Sequence, residues 1–480
     1  MTELPRLSTA TLDRLHAGID VGARPSGVGI VHLGIGAFHR AHQAVYTEEA
    51  MAAEGAGRWG ICGVTQRSRT VVDQLAPQDG LYAVLERGDG GVSARVIGSV
   101  LEVISVAESP DHLLARLADP AVSVVTLTVT EKGYRRDASG RLDLADPAVQ
   151  ADVDGSAPPV TAIGQLVHGL RRRASTEAPL TVLSCDNLVG NGAVVRGLVE
   201  DFCAALPSDV GEPLRAWIER SVSFPSSMID RIVPATTDDD RAEAQRLLGV
   251  RDEGLVVAEP FRQWVIENAF AGQVPAWDKA GTTITADVAP YEKVKLRLLN
   301  ATHSLLAYAG ALAGYETIAE AVRDERLASA AAALMAEDVV PTLERPDGLD
   351  LQEYQRSVLQ RFANPALRHR TTQVAMDGSQ KLPVRLLGTI RDRLRAGAEP
   401  RWAALGVAAW MVYVARGRDA TGRLLPLDDP LAERLRTEAA GPESGLVDRL
   451  LGLDEIFDEE LRDSATLRAL LTDAVAGLLA

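Results

Sequence analysis

The stretch YEKVKLRLLNATH, residues 291–303, sets an amine, an amide, an imidazole and a carboxylate into a segment that otherwise reads as buried helix. At 100° per residue, Glu292, Lys295, Asn300 and His303 fall within an arc of about 140° on one side. Reduction of a ketone needs a proton donor at the carbonyl oxygen and donors that tolerate negative charge there. Lys295 can be the first if burial and a neighbouring cation bring its pKa toward working pH, and Asn300 can be one of the second. The same spacing also suits a polar stripe that faces solvent or another domain. A second patch, SCDNLVGNG at 184–192, follows a strand-like run at 180–184. It therefore lies at the carboxyl end of a sheet, where open α/β folds bind ligands. Its Asn-Gly pairs are equally ordinary turn formers.

Gly34, Ile35, Gly36, Ala37 and Phe38 stand between a β-branched run at 28–33 and a helical stretch from about 37 to 53. A dinucleotide-binding turn needs small residues here, one for the tight turn and one so that pyrophosphate can approach the backbone. The third glycine of G-x-G-x-x-G is replaced by His39, so the motif alone is weak. The next strand, 60–64, should end on the group that reads the adenosine ribose, where an acid selects NAD. Arg67, Ser68 and Arg69 stand there, with no carboxylate before Asp73. This reads either as tolerance of NADP or as a solvated loop with incidental arginines. His39 and His42 could form a metal pair, but no third ligand is evident. Ser226 and Ser227 lack the G-x-S-x-G setting of a hydrolase.

The elements that would carry these residues alternate. Strand-like runs at 28–33, 60–64, 82–85, 95–97, 122–130 and 180–184 are interleaved with helical segments such as 110–117 and 162–173, after a short lead-in helix at 9–17. Such alternation predicts a mainly parallel sheet covered on both faces, with 82–99 as a hairpin added to it. After about Asp287 nearly everything reads as helix: 291–312, opened by Pro290, then 318–322, 328–340, 351–362 and 403–416. At 480 residues two large domains are expected, 1–286 and 287–480.

Bulk properties exclude several classes. The formal charge of −16 disfavours nucleic acid or an anionic membrane as partner, and no obligate protein partner is evident. The longest apolar stretch, 402–415, falls short of the ~20 residues that span a bilayer. Cys62, Cys185 and Cys203 have no CxxC spacing and no secretory signal is visible, which fits a reducing cytoplasm.

Taken together, HLGIGAFHRAHQ, WGICGV, TLTVTEKGY, SCDNLVGNG, FPSSMIDRIVPATT, EPFRQWVIE, YEKVKLRLLNATHS, MDGSQKLP and ALGVAAWMVY run in order along the chain. In this the sequence resembles the mannitol dehydrogenase family, the long-chain polyol-specific dehydrogenases and reductases. The resemblance implies an α/β Rossmann-type N-terminal domain followed by a mostly α-helical C-terminal domain. It also implies hydride exchange with NAD(P) and no metal. It makes Lys295 the general base in alcohol oxidation and the acid in ketone reduction, with Asn191 and Asn300 holding the reacting oxygen. It gives substrate hydroxyls to Asp230 and His303, and a proton route to Glu292. The segment 367–381 looks like the fructuronate reductase (mannonate oxidoreductase) branch, with Gln373 where mannitol 2-dehydrogenases tend to have arginine. Arg368 and Arg370, with Gln373 and Lys381, are then expected to bind a sugar acid; the two arginines could equally pair with the protein's own acids. Many members carry an acid near position 69, and Arg69 here weakens any carry-over of strict NAD specificity. The alternatives are a mannitol 2-dehydrogenase or related polyol enzyme, and an inactive cofactor-binding sensor.

Overall fold

The computed structural model describes residues 4–479 apart from 56, 67, 89 and 138, in two compact units, Met1–Ala289 and Pro290–Ala480. The strands are β1 (Asp20–Val21), β2 (Val28–Leu33), β3 (Gly60–Thr65), β4 (Tyr82–Gly88), β5 (Gly91–Ile97), β6 (Val100–Ser105), β7 (Val124–Leu127), β8 (Leu180–Ser184), β9 (Val222–Ser223), β10 (Ser227–Asp230), β11 (Val256–Ala258), β12 (Gln263–Glu267) and β13 (Thr283–Thr285). Six of them form a parallel sheet in the order β6-β3-β2-β7-β8-β9. Counted within the sheet this is 3-2-1-4-5-6, the order of doubly wound dinucleotide-binding domains, whose ligand crevice opens where the order reverses. Here that point lies at the carboxyl ends of β2 and β7.

Alternate residues on these strands supply two cores. Val31, Leu33, Val125 and Val182 pack with helices including Ala162–Arg173 and Asn191–Ala205. Ile30, Ile61, Val124 and Leu183 pack on the opposite face. That second face is closed by the helix Gln43–Glu54 and by residues of two smaller sheets, such as Tyr82, Val84, Trp264 and Ile266. The hairpin therefore does not extend the parallel sheet. β4 and β5 belong to a four-stranded sheet, β1-β5-β4-β11, and β10-β12-β13 forms another. A strand's partner is a long-range choice that local alternation does not specify.

The second unit is helical around Ala301–Leu312 and Arg401–Arg416. Among the described residues no helix is long and apolar enough to cross a membrane. The expected start at 328 moves back to the helix Glu325–Ala333, because the Asp324 carboxylate accepts from the backbone N–H groups of Arg326 and Leu327. The lead-in helix at 9–17 is a short 3-10 turn, Thr9–Arg14. The long helix expected at 291–312 is divided. Ala289–Val294 and Ala301–Leu312 are α-helical, and Lys295–Asn300 between them is a π-helical turn.

In the first unit, Glu48 on Gln43–Glu54 is buried, with its carboxylate accepting from Gly98 N–H and 3.5 Å from Arg95. A Cβ on Gly22 would fall 1.8 Å from that carboxylate, which would have to shift. Burial pushes the Glu48 pKa up to about 7, against the pull of Gly98 and Arg95. Because the folded pKa is raised, the stability it contributes relative to the unfolded chain is full below about pH 4.5 and is lost as pH rises through 7. Glu48→Gln should remove that slope. Unfolding by denaturant at pH 5 and pH 8 should show the variant gaining on the parent by up to about 3 kcal/mol at the higher pH. A pH-independent gap would contradict it.

Candidate functional site

At the end of β2, Gly34 takes φ +100°, and a Cβ there would lie 2.2 Å from the Thr128 carbonyl oxygen. The Thr128 hydroxyl donates to Gly34 O at 2.8 Å, and His32 Nε2 lies 3.2 Å from the same oxygen. The loops after β2 and β7 are thereby pinned together. Gly36 caps the short helix Ala37–Ala41, and nothing nearer than 3.8 Å would meet a Cβ on it. The space beside it continues into a cavity of about 460 Å³ lined by Gly34, Ile35, Gly36, Ser68, Thr130 and Lys132, among others. A dinucleotide fits this cradle: glycine backbone on one wall, and room for a pyrophosphate against it.

His39, in place of the third glycine, is buried and stacks on His32 with centroids 3.4 Å apart. Burial, then the proximity of His32, Arg40 and His42, pushes its pKa well below the usual histidine value, so the stack is neutral. His42 Nε2 meets Gln263 O at 2.9 Å, and its ring lies on Phe38. His39 and His42 thus serve packing, and among the described residues no three ligating side chains gather as a metal set.

Arg67 lies outside the described residues. Ser68 Oγ donates to Thr70 Oγ1 at 2.7 Å at the start of a helix. Arg69 is exposed and paired with Asp73 at 2.9 Å and with Glu108. Two acids therefore stand beside the one described cation of this loop.

Asn191 begins the helix Asn191–Ala205 after β8 and is fully buried. Its Nδ2 donates to Asp186 O at 3.1 Å and to Ser227 O at 2.8 Å, while its Oδ1 accepts from Ser227 N at 2.9 Å. Both amide hydrogens are engaged by the backbone. Any further acceptor at Nδ2 would have to take the place of one of these bonds, and the bond to Asp186 is the longer. The Asp186 carboxylate accepts from Val129 N, Thr130 N and Tyr134 OH, which joins the TLTVTEKGY and SCDN blocks. Asp230 ends β10 and is buried.

In the second unit the π turn determines the geometry. Residues five apart stand about 140° apart on an α-helix. Here the Ala301 N–H donates to Leu296 O, five residues back, so Lys295 and Asn300 come toward one face. Lys295, Asn300, Glu292 and His303 are all buried, at 7%, 9%, 6% and 8% exposure. The other cations of the turn are taken up elsewhere: Arg297 bonds Thr342 Oγ1 at 2.7 Å and Asp392 at 2.6 Å, and Lys293 lies 3.8 Å from Asp392.

His303 stacks on Phe362 at 4.7 Å and meets His369 edge-on at 4.8 Å. Among the described residues its buried Nε2 has no hydrogen-bond partner, and neither has His369 Nδ1. Burial foremost, then His369, Arg385, Arg361 and Lys381, pushes the His303 pKa well down, and burial with Lys381 lowers that of His369 to about 4. A neutral imidazole with an open nitrogen suits a substrate hydroxyl. Lys381 Nζ reaches Val374 O at 3.4 Å. Arg368, Arg370 and Gln373 are exposed, with Arg368 in a left-handed turn.

Residues 28–279 match the mannitol dehydrogenase Rossmann domain, and 287–479 match the mannitol dehydrogenase C-terminal domain. The chain belongs to the mannitol dehydrogenase family. Among its relatives, D-mannonate oxidoreductase of Escherichia coli (strain K12) is 44% identical over 452 residues, 93% of this chain and 92% of that one. A mannitol 2-dehydrogenase of Phaeosphaeria nodorum is 36% identical over 94% of this chain and 79% of its own length. The structure of Pseudomonas fluorescens mannitol 2-dehydrogenase in ternary complex with NAD and D-mannitol superposes with TM-score 0.88 at 37% identity, covering 99% of this chain and 97% of that one.

The motif reading passed over several residues that bond to the elements carrying the site. Thr128 holds the glycine turn, Asp186 clamps two loops, and Arg385 reaches the lysine helix: its Nη1 donates to Ser304 Oγ at 3.0 Å and to Asn300 O at 3.4 Å. The signal for Arg385 is its position four residues after Lys381 in KLPVR, visible only once that helix is known to pack on the π turn.

Proposed function

We propose that the protein interconverts the ketone of D-fructuronate and the alcohol of D-mannonate, with NAD(H) as the preferred redox partner. The observation that carries this reading is the buried Lys295–Asn300 turn beside a cluster of basic residues around His303. An amine beside an amide donor can protonate and stabilise a carbonyl oxygen, and nearby basic groups suit a substrate that carries a carboxylate. The 44% identity to a D-mannonate oxidoreductase supports the same substrate class.

Each residue then has a task. The nicotinamide, when bound, exchanges a hydride with the carbinol or carbonyl carbon. Lys295 gives its proton to the oxygen during reduction and takes it back during oxidation. Asn300 donates to that oxygen, and an oxygen that reached Asn191 would take the place of its bond to Asp186. His303 and Asp230 bind substrate hydroxyls, Lys381 supports the acid end, and Glu292 relays the proton from Lys295 toward solvent.

Three measurements test this assignment. The kcat/KM for D-fructuronate should exceed that for D-fructose by at least about tenfold; a higher value for fructose makes the protein a polyol dehydrogenase, and no oxidation of NADH or NADPH with either makes it a sensor. Lys295→Ala should lower kcat by about 10² to 10⁴ while NADH still binds, the range expected for loss of a proton-transfer group. Near-normal turnover would remove Lys295 from the chemistry. Since Asp73 and Glu108 already engage Arg69, NADP(H) should work less efficiently than NAD(H). Glu108→Gln should move the ratio of kcat/KM severalfold toward NADP(H), and an unmoved ratio would show that Arg69 does not face the ribose.

A further inference from the structure

Arg368 and Arg370, the arginines that the sequence offers for a substrate carboxylate, are exposed. A different arginine is built into the lysine helix. Arg385 lies in a second π-helical turn, Pro383–Leu387, which packs on the Lys295–Asn300 turn. Its Nη1 is anchored on Ser304 Oγ and the Asn300 carbonyl, one residue beyond His303 and on the backbone of the amide assigned to the reacting oxygen. Anchoring one nitrogen of a planar guanidinium fixes the orientation of the whole fork, and a fork presents paired donors to a carboxylate.

The surroundings point the same way. Lys381 precedes Arg385 by four residues, and Arg361 is buried next to Phe362, whose ring stacks on His303. The charged or titratable groups that bear most strongly on His303 are all basic: His369, Arg385, Arg361 and Lys381.

We infer that Arg385, assisted by Lys381, receives the substrate carboxylate and is the residue that makes this site select a sugar acid over a neutral polyol. The inference rests on the D-fructuronate reading above. Its test is the selectivity ratio, kcat/KM for D-fructuronate over kcat/KM for D-fructose, in the parent, Arg385→Gln, Arg385→Lys and the double variant Arg368→Ala/Arg370→Ala. Arg385→Gln should lower the ratio by about 10- to 100-fold, the range for losing hydrogen bonds to a charged group, and mainly through KM for the acid. Arg385→Lys, which keeps the charge but not the fork, should recover part of it. NADH titration of each variant reports folding, and the lysine variant decides the matter if the glutamine variant does not fold. If both substrates fall together, Arg385 only props the π turn and the inference is overturned. It is equally overturned if the ratio falls in the Arg368/Arg370 double variant and not in Arg385→Gln. A parent enzyme without activity on D-fructuronate would instead reject the substrate reading itself, before any variant is compared.

Discussion

One residue more than an α-helical turn can hold is accommodated between Lys295 and Asn300, and how these two side chains face follows from it. An i→i+5 bond widens the helix locally and shifts every later side chain relative to the earlier ones. With an α register, Lys295 and Asn300 would diverge by about 140°. With the bond from Ala301 to Leu296, they come toward a common face while Arg297 and Lys293 turn to Asp392. The packing around the turn keeps that register in place. The helix Leu351–Ala363 lies against it, and the Pro383–Leu387 turn adds the bond from Arg385 to the Asn300 carbonyl.

The first unit shows the complementary economy. A turn that departs from the three-glycine pattern accommodates the larger His39 side chain by stacking it on His32. His32 in turn reaches Thr126, Thr128 and Gly34. The stack remains neutral through burial, so it adds no charge under a turn meant for an anion. His39 and His42 are both held in ring contacts, His39 on His32 and His42 on Phe38.

Charge is distributed with similar consequence. The acidic surface keeps nonspecific polyanions away, while basic groups are concentrated around His303, and its imidazole stays unprotonated there. Neutrality matters because a neutral ring can both accept and donate to sugar hydroxyls, whereas a charged one can only donate.

Much of this was readable from the chain alone. The alternation of apolar strands and helices, the glycines at 34 and 36, and the change of texture after Asp287 are local properties, and local periodicity carries them. The residue types of the candidate site, Lys295, Asn300, His303 and Asn191, were likewise visible as a pattern of chemistry. What the linear order could not convey was how those groups face. The π register arises from packing against distant helices, and the saturated amide of Asn191 depends on Ser227, 36 residues away. The hairpin's membership in a separate sheet depends on β11, which follows it by more than 150 residues. Arg368 and Arg370 suit an anion by type and are exposed, and only the fold shows that Arg385, farther along the chain, bonds the lysine helix. Composition records which groups exist; direction is determined by contacts between residues far apart in the chain, and no local rule contains them.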